Sequence, residues 1–136
     1  MQARRGELID ALGDGGLVAV AGTRRVGLLT WRLGPDRRAE ITAVAVDPGS
    51  RRRGVGRALL DEAARRLREL TIDRVWLVTT NDNLEALALY QKAGYRLATL
   101  RAGAIDDVRR RIKPSIPEIA SNGIPIRDEL DLELEL

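Results

Sequence analysis

Residues 39–60 read AEITAVAVDPGSRRRGVGRALL: an extended run, a break and the opening of a helix. Ala39 to Val46 is apolar and rich in β-branched residues, which predicts a strand. Asp47-Pro48 ends it, because proline has no N–H and a fixed φ. From Gly56 to Leu70 the apolar residues fall at Leu59, Leu60, Ala63, Ala64, Leu67 and Leu70, the spacing of one helix face. Asp61–Arg65 and Glu62–Arg66 fall four residues apart on the outer face. A strand that turns directly into a helix needs neighbours on either side to complete a sheet.

Upstream, Gly34-Pro35-Asp36 breaks the chain, and Val26 to Leu33 (VGLLTWRL) is a second apolar run. A turn at Gly22 to Arg25 separates it from Leu17 to Ala21, so the two runs predict a β-hairpin. Asp14-Gly15-Gly16 reads as a turn and residues 5–10 as a short first strand. Downstream, Val75 to Thr79 predicts a strand and Asn83 to Ala93 a second helix. Asp82 and Glu85 are spaced as a capping box, with Gly94 at the C′ position. Tyr95 to Leu100 predicts another strand, and strand–helix–strand implies a right-handed parallel crossover.

The last third is less regular. Ala104 to Ile112 reads as a short helix, with Asp106 and Asp107 at its start and Arg109 to Arg111 at its end, as the macrodipole favours. Prolines 114, 117 and 125 keep residues 114–125 out of regular structure. Leu130, Leu132, Leu134 and Leu136 then alternate with acidic residues, the period of a half-buried final strand. The expected fold class is therefore α+β (mixed α/β), an antiparallel meander joined to a parallel strand–helix–strand unit. A single domain over 1–136 is expected, with its core at 17–100, an irregular segment at 101–125 and the final strand at 126–136.

Composition removes whole classes of chemistry. Among 136 residues there is no cysteine, hence no disulfide, thiol nucleophile or thiolate metal site. There is no histidine either, which excludes a Ser-His-Asp triad and an imidazole base or ligand. Only Trp31, Trp76, Tyr90 and Tyr95 are aromatic, too few for a base-stacking nucleic-acid reader. Residues 1–113 carry 22 basic and 14 acidic side chains, whereas 114–136 carry one and six. A basic body fits an anionic ligand. Of the 23 cations 21 are arginine, as in GC-rich bacterial coding. No apolar run reaches the roughly 20 residues of a membrane span, and Glu7, Asp10 and Asp14 interrupt any signal-peptide core. A cytoplasmic, soluble protein is expected.

The chemistry centres on Arg51-Arg52-Arg53-Gly54-Val55-Gly56-Arg57. At a strand-to-helix turn, amides without intrahelical partners and the helix dipole together form an anion site. Glycines at 54 and 56 allow close approach of an oxygen-rich group, and arginines add charge-assisted contacts. A phosphate-binding loop of the G-x-x-x-x-G-K-[ST] type is excluded, because Val55 and Gly56 stand where Lys and Ser/Thr belong. A dinucleotide fingerprint is excluded by Leu59. By itself the arginine run also reads as a solvated charge cluster before a helix.

With a second segment, the sequence resembles the GNAT family of N-acetyltransferases. The family's acyl-CoA signature, (Gln/Arg)-x-x-Gly-x-(Gly/Ala), is matched by Arg51, Gly54 and Gly56. Its later Asn, Ala, Tyr and Gly-Tyr are matched by Asn83, Ala86, Tyr90, Gly94 and Tyr95, all in register. The resemblance implies a GNAT-like fold with acyl-CoA bound at the splayed central strands. It implies amides of Arg52, Arg53, Gly54, Val55, Gly56 and Arg57 around the pyrophosphate of the coenzyme. Main-chain groups of Val44 and Val46 would meet the pantetheine arm, and one amide there would polarise the thioester carbonyl. Asn83 would bond the pantetheine region. Tyr90 would protonate the departing thiolate, which suits a phenol whose ordinary pKa is about 10. The same tyrosine also reads as a core aromatic of an amphipathic helix.

An amine acceptor must lose a proton before it attacks, and without histidine the base is a carboxylate, acting directly or through water. Glu40 stands 11 residues before Arg51, a place similar to that of the catalytic glutamate in histone-type members. An apolar strand setting would raise its pKa. It reads equally as a solvated strand-end carboxylate. Asp47 is the second candidate, with a turn role before Pro48 as its other reading.

The sequence departs from the family in two places. Family members place two helices between the first two strands, where only Ala11 to Gly16 is available here. The segment from Arg101 to Pro125 is longer than the family's connection into its last strand, and such loops are commonly functional. Lys113 to Glu129, with Glu118, Asp128 and Glu129, would line the acceptor site, or would pack a sheet edge as a solvated tail. The function implied is transfer of an acetyl group from acetyl-CoA, as cosubstrate and without a metal, to a primary amine by direct attack. The acceptor would be a small molecule or a protein or peptide amine. A non-catalytic acyl-CoA-binding or regulatory module is the alternative; a nucleic-acid-binding domain leaves the Asn83–Tyr90–Gly94 register unexplained. The leucine-rich final strand leaves room for a homodimer.

Overall fold

The computed structural model describes residues 2–4, 7–11 and 15–136. The chain forms two compact units, Met1–Trp76 with Leu134–Leu136, and Leu77–Glu133. The division falls inside two strands, after Trp76 and after Glu133.

In the first unit, β1 (Gln2–Arg4), β2 (Glu7–Ala11), β3 (Gly16–Ala21), β4 (Arg24–Leu33) and β5 (Arg38–Val46) pair antiparallel in sequence order. The expected strand at 5–10 corresponds to β2, with Arg5 and Gly6 outside the described residues; β1 was not anticipated. Asp14 of the expected turn also lies outside them, and Gly16 already belongs to β3. The same holds for residues 12–14 of the space left for family helices. A 3-10 turn at Pro48–Ser50 follows β5, then α1 (Val55–Glu69) and β6 (Arg74–Thr80). β6 joins β5 in parallel through Arg38–Arg74, Ala39–Val75 and Glu40–Trp76. The parallel strand–helix–strand unit with direct pairing is thus β5–α1–β6.

The core of this unit lies between α1 and one face of the sheet. Ile9, Leu17, Ala19, Leu29, Trp31 and Ile41 are buried, as are Val55, Leu59, Ala63 and Leu67 along the helix. Burial of such side chains stabilises by roughly 1.5–3 kcal/mol each. Of the two pairs expected on the helix, Glu62–Arg66 is present (3.3 Å); Arg57 bonds Asp61 (3.0 Å), and Arg65 bonds Glu62 and Glu69. Glu62 is only 2% exposed; Arg65 and Arg66 donate to its Oε1, while its Oε2 is buried without a hydrogen-bond partner among the described residues.

The second unit holds the rest of β6, α2 (Leu84–Lys92), β7 (Arg96–Arg101), α3 (Ala104–Arg111) and most of β8 (Glu129–Glu135), in strand order β6-β8-β7. β7 and β8 are antiparallel. β8 stands between β6 and β7, so the strand–helix–strand around α2 does not bring its two strands into contact. β8 begins at Glu129, three residues later than expected. Asn81 takes the main chain before it: its Oδ1 accepts from Arg127 N (3.0 Å) and Asp128 N (2.9 Å), and its Nδ2 donates to Pro125 O (2.8 Å). Arg109 binds the same segment by donating to the carbonyls of Ile116, Pro117 and Ile126. Among the described residues, no helix is long and apolar enough to cross a membrane.

Gly27 of β4 sets how closely α1 rests on the sheet. A Cβ there would lie 2.8 Å from Val55 Cγ1 and 3.0 Å from Leu59 Cδ1. Gly27→Val is expected to destabilise the protein by about 1–3 kcal/mol. The measurement is the urea midpoint at constant m-value, and an unchanged midpoint would refute this packing role.

Candidate active site

In the first unit the candidate residues follow one another along β5, the turn and α1. Asp47 N donates to Val26 O (2.8 Å), which fixes the phase of the β4–β5 ladder. Gly27–Val46 and Leu29–Val44 are then pairs that do not bond each other, so the N–H and C=O groups of Val44 and Val46 point away from β4. β5 pairs with β6 only as far as Glu40, so this edge has no ladder partner at Val44 or Val46 among the described residues. Arg51 turns back and donates from Nε to Val46 O (3.3 Å).

The loop into α1 adopts left-handed backbone at Arg52 (φ 65°) and at the N-cap Gly54 (φ 81°). Glycine takes this conformation without strain, whereas arginine does not. The first intrahelical bond is Ala58 N to Gly54 O (2.9 Å), which leaves the amides of Val55, Gly56 and Arg57 without helical acceptors. No side chain caps this terminus and no acidic residue lies in the first turn. The site is suited to an oxyanion. Arg57 spends its Nε on Asp61, so its contribution here is the main-chain amide.

A bulge in β5 escaped the sequence reading. Thr30 pairs with Ala43 and Trp31 with Ile41, which leaves Thr42 as the extra residue. Its hydroxyl lies 2.7 Å from that of Thr30. Nothing in the local sequence announces the bulge, because Thr42 continues an ordinary strand pattern. Glu40 lies two residues earlier on β5. Arg32, its cross-strand neighbour, donates to Oε1 at 2.7 Å, so the carboxylate is ion-paired. Asp47 faces Arg24 at 3.6 Å. Beside the end of β5, a cavity of about 360 Å³ is lined by Val18, Arg25 to Leu28 and Ala45 to Asp47.

In the second unit, Asn83 rather than Asp82 caps α2: its Oδ1 accepts from Ala86 N (3.3 Å). Its amide hydrogens remain able to donate elsewhere. Asp82 instead offers its carbonyl to Leu84 N and Asn122 Nδ2. The helix ends as the sequence indicates. Gly94 (φ 100°) follows the cap, with Tyr95 N bonded to Tyr90 O and Gly94 N to Gln91 O, a Schellman closure. Tyr90 is half-buried in the last turn, its ring 6.2 Å from that of the buried Tyr95. Burial pushes the Tyr90 phenol up from its ordinary value of 10.0. Of the carboxylates expected to line an acceptor site, two carry internal bonds. Asp128 accepts from Gly103 N (2.8 Å), and Glu129 pairs with Arg101 (2.9 Å).

The sequence pattern of the Acetyltransferase (GNAT) family matches residues 2–95. The chain belongs to this family. Its fold is the GNAT fold, as in an acetyltransferase of Bacillus subtilis solved in complex with CoA. That structure is 27% identical, with a TM-score of 0.78 over 92% of this chain and 79% of the other. Among curated relatives, the uncharacterised protein YxbD of Bacillus subtilis is 47% identical over 111 residues, 82% of this chain and 67% of its own length. The ribosomal protein bS18-alanine N-acetyltransferase of Escherichia coli is 38% identical over 63 residues, 46% of this chain and 43% of its own length. The matched stretch thus spans from under half to about two thirds of these two relatives.

Asn83→Ala removes the acceptor for Ala86 N and is expected to lower stability by about 1 kcal/mol. Asn83→Asp, which keeps an acceptor oxygen, is expected to retain most of it. Thermal denaturation of the two variants checks this, and equal losses would refute the capping role.

Proposed function

We propose that this GNAT-family chain transfers an acetyl group from acetyl-CoA to a primary amine of a small molecule, peptide or protein by direct attack. One observation carries the reading: a strand end whose main-chain groups at Val44 and Val46 lie outside the β-ladder, with the Val46 carbonyl held by Arg51, runs into a helix start whose amides at Val55, Gly56 and Arg57 have no helical or side-chain acceptor. The first feature suits the amide-bearing pantetheine arm, and the second a diphosphate. The relative whose name specifies alanine N-acetylation supports an amine as acceptor. The relative solved with CoA supports the cosubstrate.

In this reading Arg52, Arg53, Gly54, Val55, Gly56 and Arg57 hold the pyrophosphate, and Arg51 keeps the strand end in place through Val46 O. An amide at Val44 or Val46 polarises the thioester carbonyl and stabilises the oxyanion formed on attack. The neutral amine adds its lone pair to the carbonyl carbon, and the C–S bond breaks as the carbonyl re-forms. Tyr90 gives its proton to the thiolate and recovers one from water. The amine's surplus proton goes to Glu40 or to water; Glu40 acts from within its ion pair with Arg32. Asn83, with its Oδ1 engaged in the cap, donates from its amide to the pantetheine region.

Calorimetry with acetyl-CoA and turnover on a panel of primary amines, including alanine- and lysine-bearing peptides, test the reading. Tyr90→Phe is expected to lower kcat about 10²–10⁴-fold, the usual range for a lost proton donor, with acetyl-CoA affinity retained. Because burial raises the phenol above its ordinary value, Tyr90 remains protonated through neutral pH. The alkaline fall in kcat that it causes is expected above about pH 10. No heat with acetyl-CoA refutes the coenzyme site. Full turnover in Tyr90→Phe refutes the acid role, and binding without turnover on any amine favours a non-catalytic acyl-CoA module.

A further inference from the structure

Gly27 looks towards α1, since a Cβ there would meet Val55 and Leu59. Its neighbour Leu28 therefore points to the opposite face of the sheet, together with its cross-strand partners Val18 and Ala45. Val18 and Leu28 are half-buried, and Ala45 is exposed. All three line the cavity of about 360 Å³ beside the end of β5. An apolar hollow of this size with a few polar groups at its rim is the usual form of a small-molecule site.

Two bulges bring charge onto this face. On β4, Ala19 pairs with Gly27 and Val20 with Arg25, so Val26 is an extra residue. Arg25 thereby shares the face of Leu28 although the two are three residues apart. On β5, the extra residue Thr42 does the same for Glu40, which lies opposite Arg32 on the face of Ala45. Between these ends stands Thr30, its hydroxyl 2.7 Å from that of Thr42. The other charges nearby are engaged. Asp47 also lines the cavity, but Arg24 faces its carboxylate at 3.6 Å. Asp10, opposite Val18, lies outside the lining, and its Oδ1 accepts from Ala11 N. Glu40 is held by Arg32. Arg25 lines the cavity without an ion pair or side-chain hydrogen bond among the described residues. One face thus carries, in order, an uncommitted cation, an apolar floor, a hydroxyl pair and the carboxylate of Glu40.

We propose that this face is the acceptor subsite of the acetyl transfer proposed above, on which the inference rests, and that the acceptor is an ω-amino acid. Its carboxylate pairs with Arg25, its methylene chain lies over Val18, Leu28 and Ala45, and its amine reaches the row of Val44, beside Glu40. An apolar amine without a carboxylate would leave Arg25 unpaired, and a diamine would set a second cation against it. From Val44 to Arg25 is about 10 Å along the sheet, which fits about five methylene groups between amine and carboxylate. Attack forms the N–C bond of the N-acetyl amino acid and breaks the C–S bond to free the coenzyme thiol. The amine's surplus proton goes to Glu40 or to water.

Hexanoate has the carboxylate and the chain but no amine, so calorimetry with it probes the subsite apart from turnover. The expected Kd is on the order of 1 mM. Arg25→Gln, at an exposed position, is expected to weaken binding about tenfold or more, and Arg25→Lys to restore part of it. In turnover with acetyl-CoA, aminohexanoate is expected to show a lower KM than hexylamine. Arg25→Gln is expected to raise the ratio of the two KM values about tenfold, with little change in kcat for aminohexanoate. Hexanoate that fails to bind, or binds Arg25→Gln as well as the wild type, overturns the subsite. Equal KM values for the two amines, indifferent to Arg25→Gln, overturn it as well and leave acetyl transfer standing. Hexanoate held through Arg25 with no amine acetylated upholds the site and overturns the transfer on which its acceptor role rests.

Discussion

An α-helix cannot satisfy its own first amides, and among the described residues no side chain satisfies those of α1. Gly54 has no side chain with which to cap, no carboxylate occupies the first turn, and the left-handed turn at Gly54 brings the chain in from the end of β5. Other features serve to hold that terminus in one place. Gly27 admits Val55 and Leu59 to close contact with β4, which anchors the helix start against the sheet. Arg51 ties the loop to the last carbonyl of β5. The open amides at Val55, Gly56 and Arg57 are therefore a fixed feature of the fold, and they are what an anionic coenzyme recognises in the proposed function.

The second unit relies on side chains that bond the main chain. Three consecutive residues divide the work: Asn81 fastens residues 125–128, Asp82 accepts from Asn122 through its carbonyl, and Asn83 caps α2. Arg109 gathers three carbonyls of a proline-rich segment that has no ladder of its own. Buried main-chain oxygens need donors, and a guanidinium supplies several in a planar fork. The long segment between α3 and β8 is thereby fixed without regular secondary structure.

Several arginines that make the sequence basic are thus committed to internal bonds. Arg101 serves Glu129 and Asp131, Arg65 serves Glu62 and Glu69, and Arg109 serves backbone. A surplus of cations in composition is not by itself a binding surface, because charges neutralised at short range contribute little field at a distance. Beside the α1 terminus the main chain counts for more, since the amides of Val55, Gly56 and Arg57 are already disposed towards an anion.

Local physics made much of this legible. The period of Leu59, Leu60, Ala63, Ala64 and Leu67 fixed α1, the alternation of leucine with acid marked β8, and Gly94 marked the end of α2. The motif positions on the loop and on α2 were likewise readable, because backbone conformation at Gly54 and Gly94 follows from residue type. What depends on partners distant in sequence was not. The ion pair of Glu40 with Arg32 requires the β4–β5 register, and the bulge at Thr42 arises from how two strands of ordinary composition align. The late start of β8 follows from Asn81, some 46 residues away from Arg127. The identity of the α2 cap was settled by a single hydrogen bond between neighbouring candidates. Propensity and period act within a turn or two of chain, whereas register and side-chain capture are settled only when remote segments compete for the same donors and acceptors.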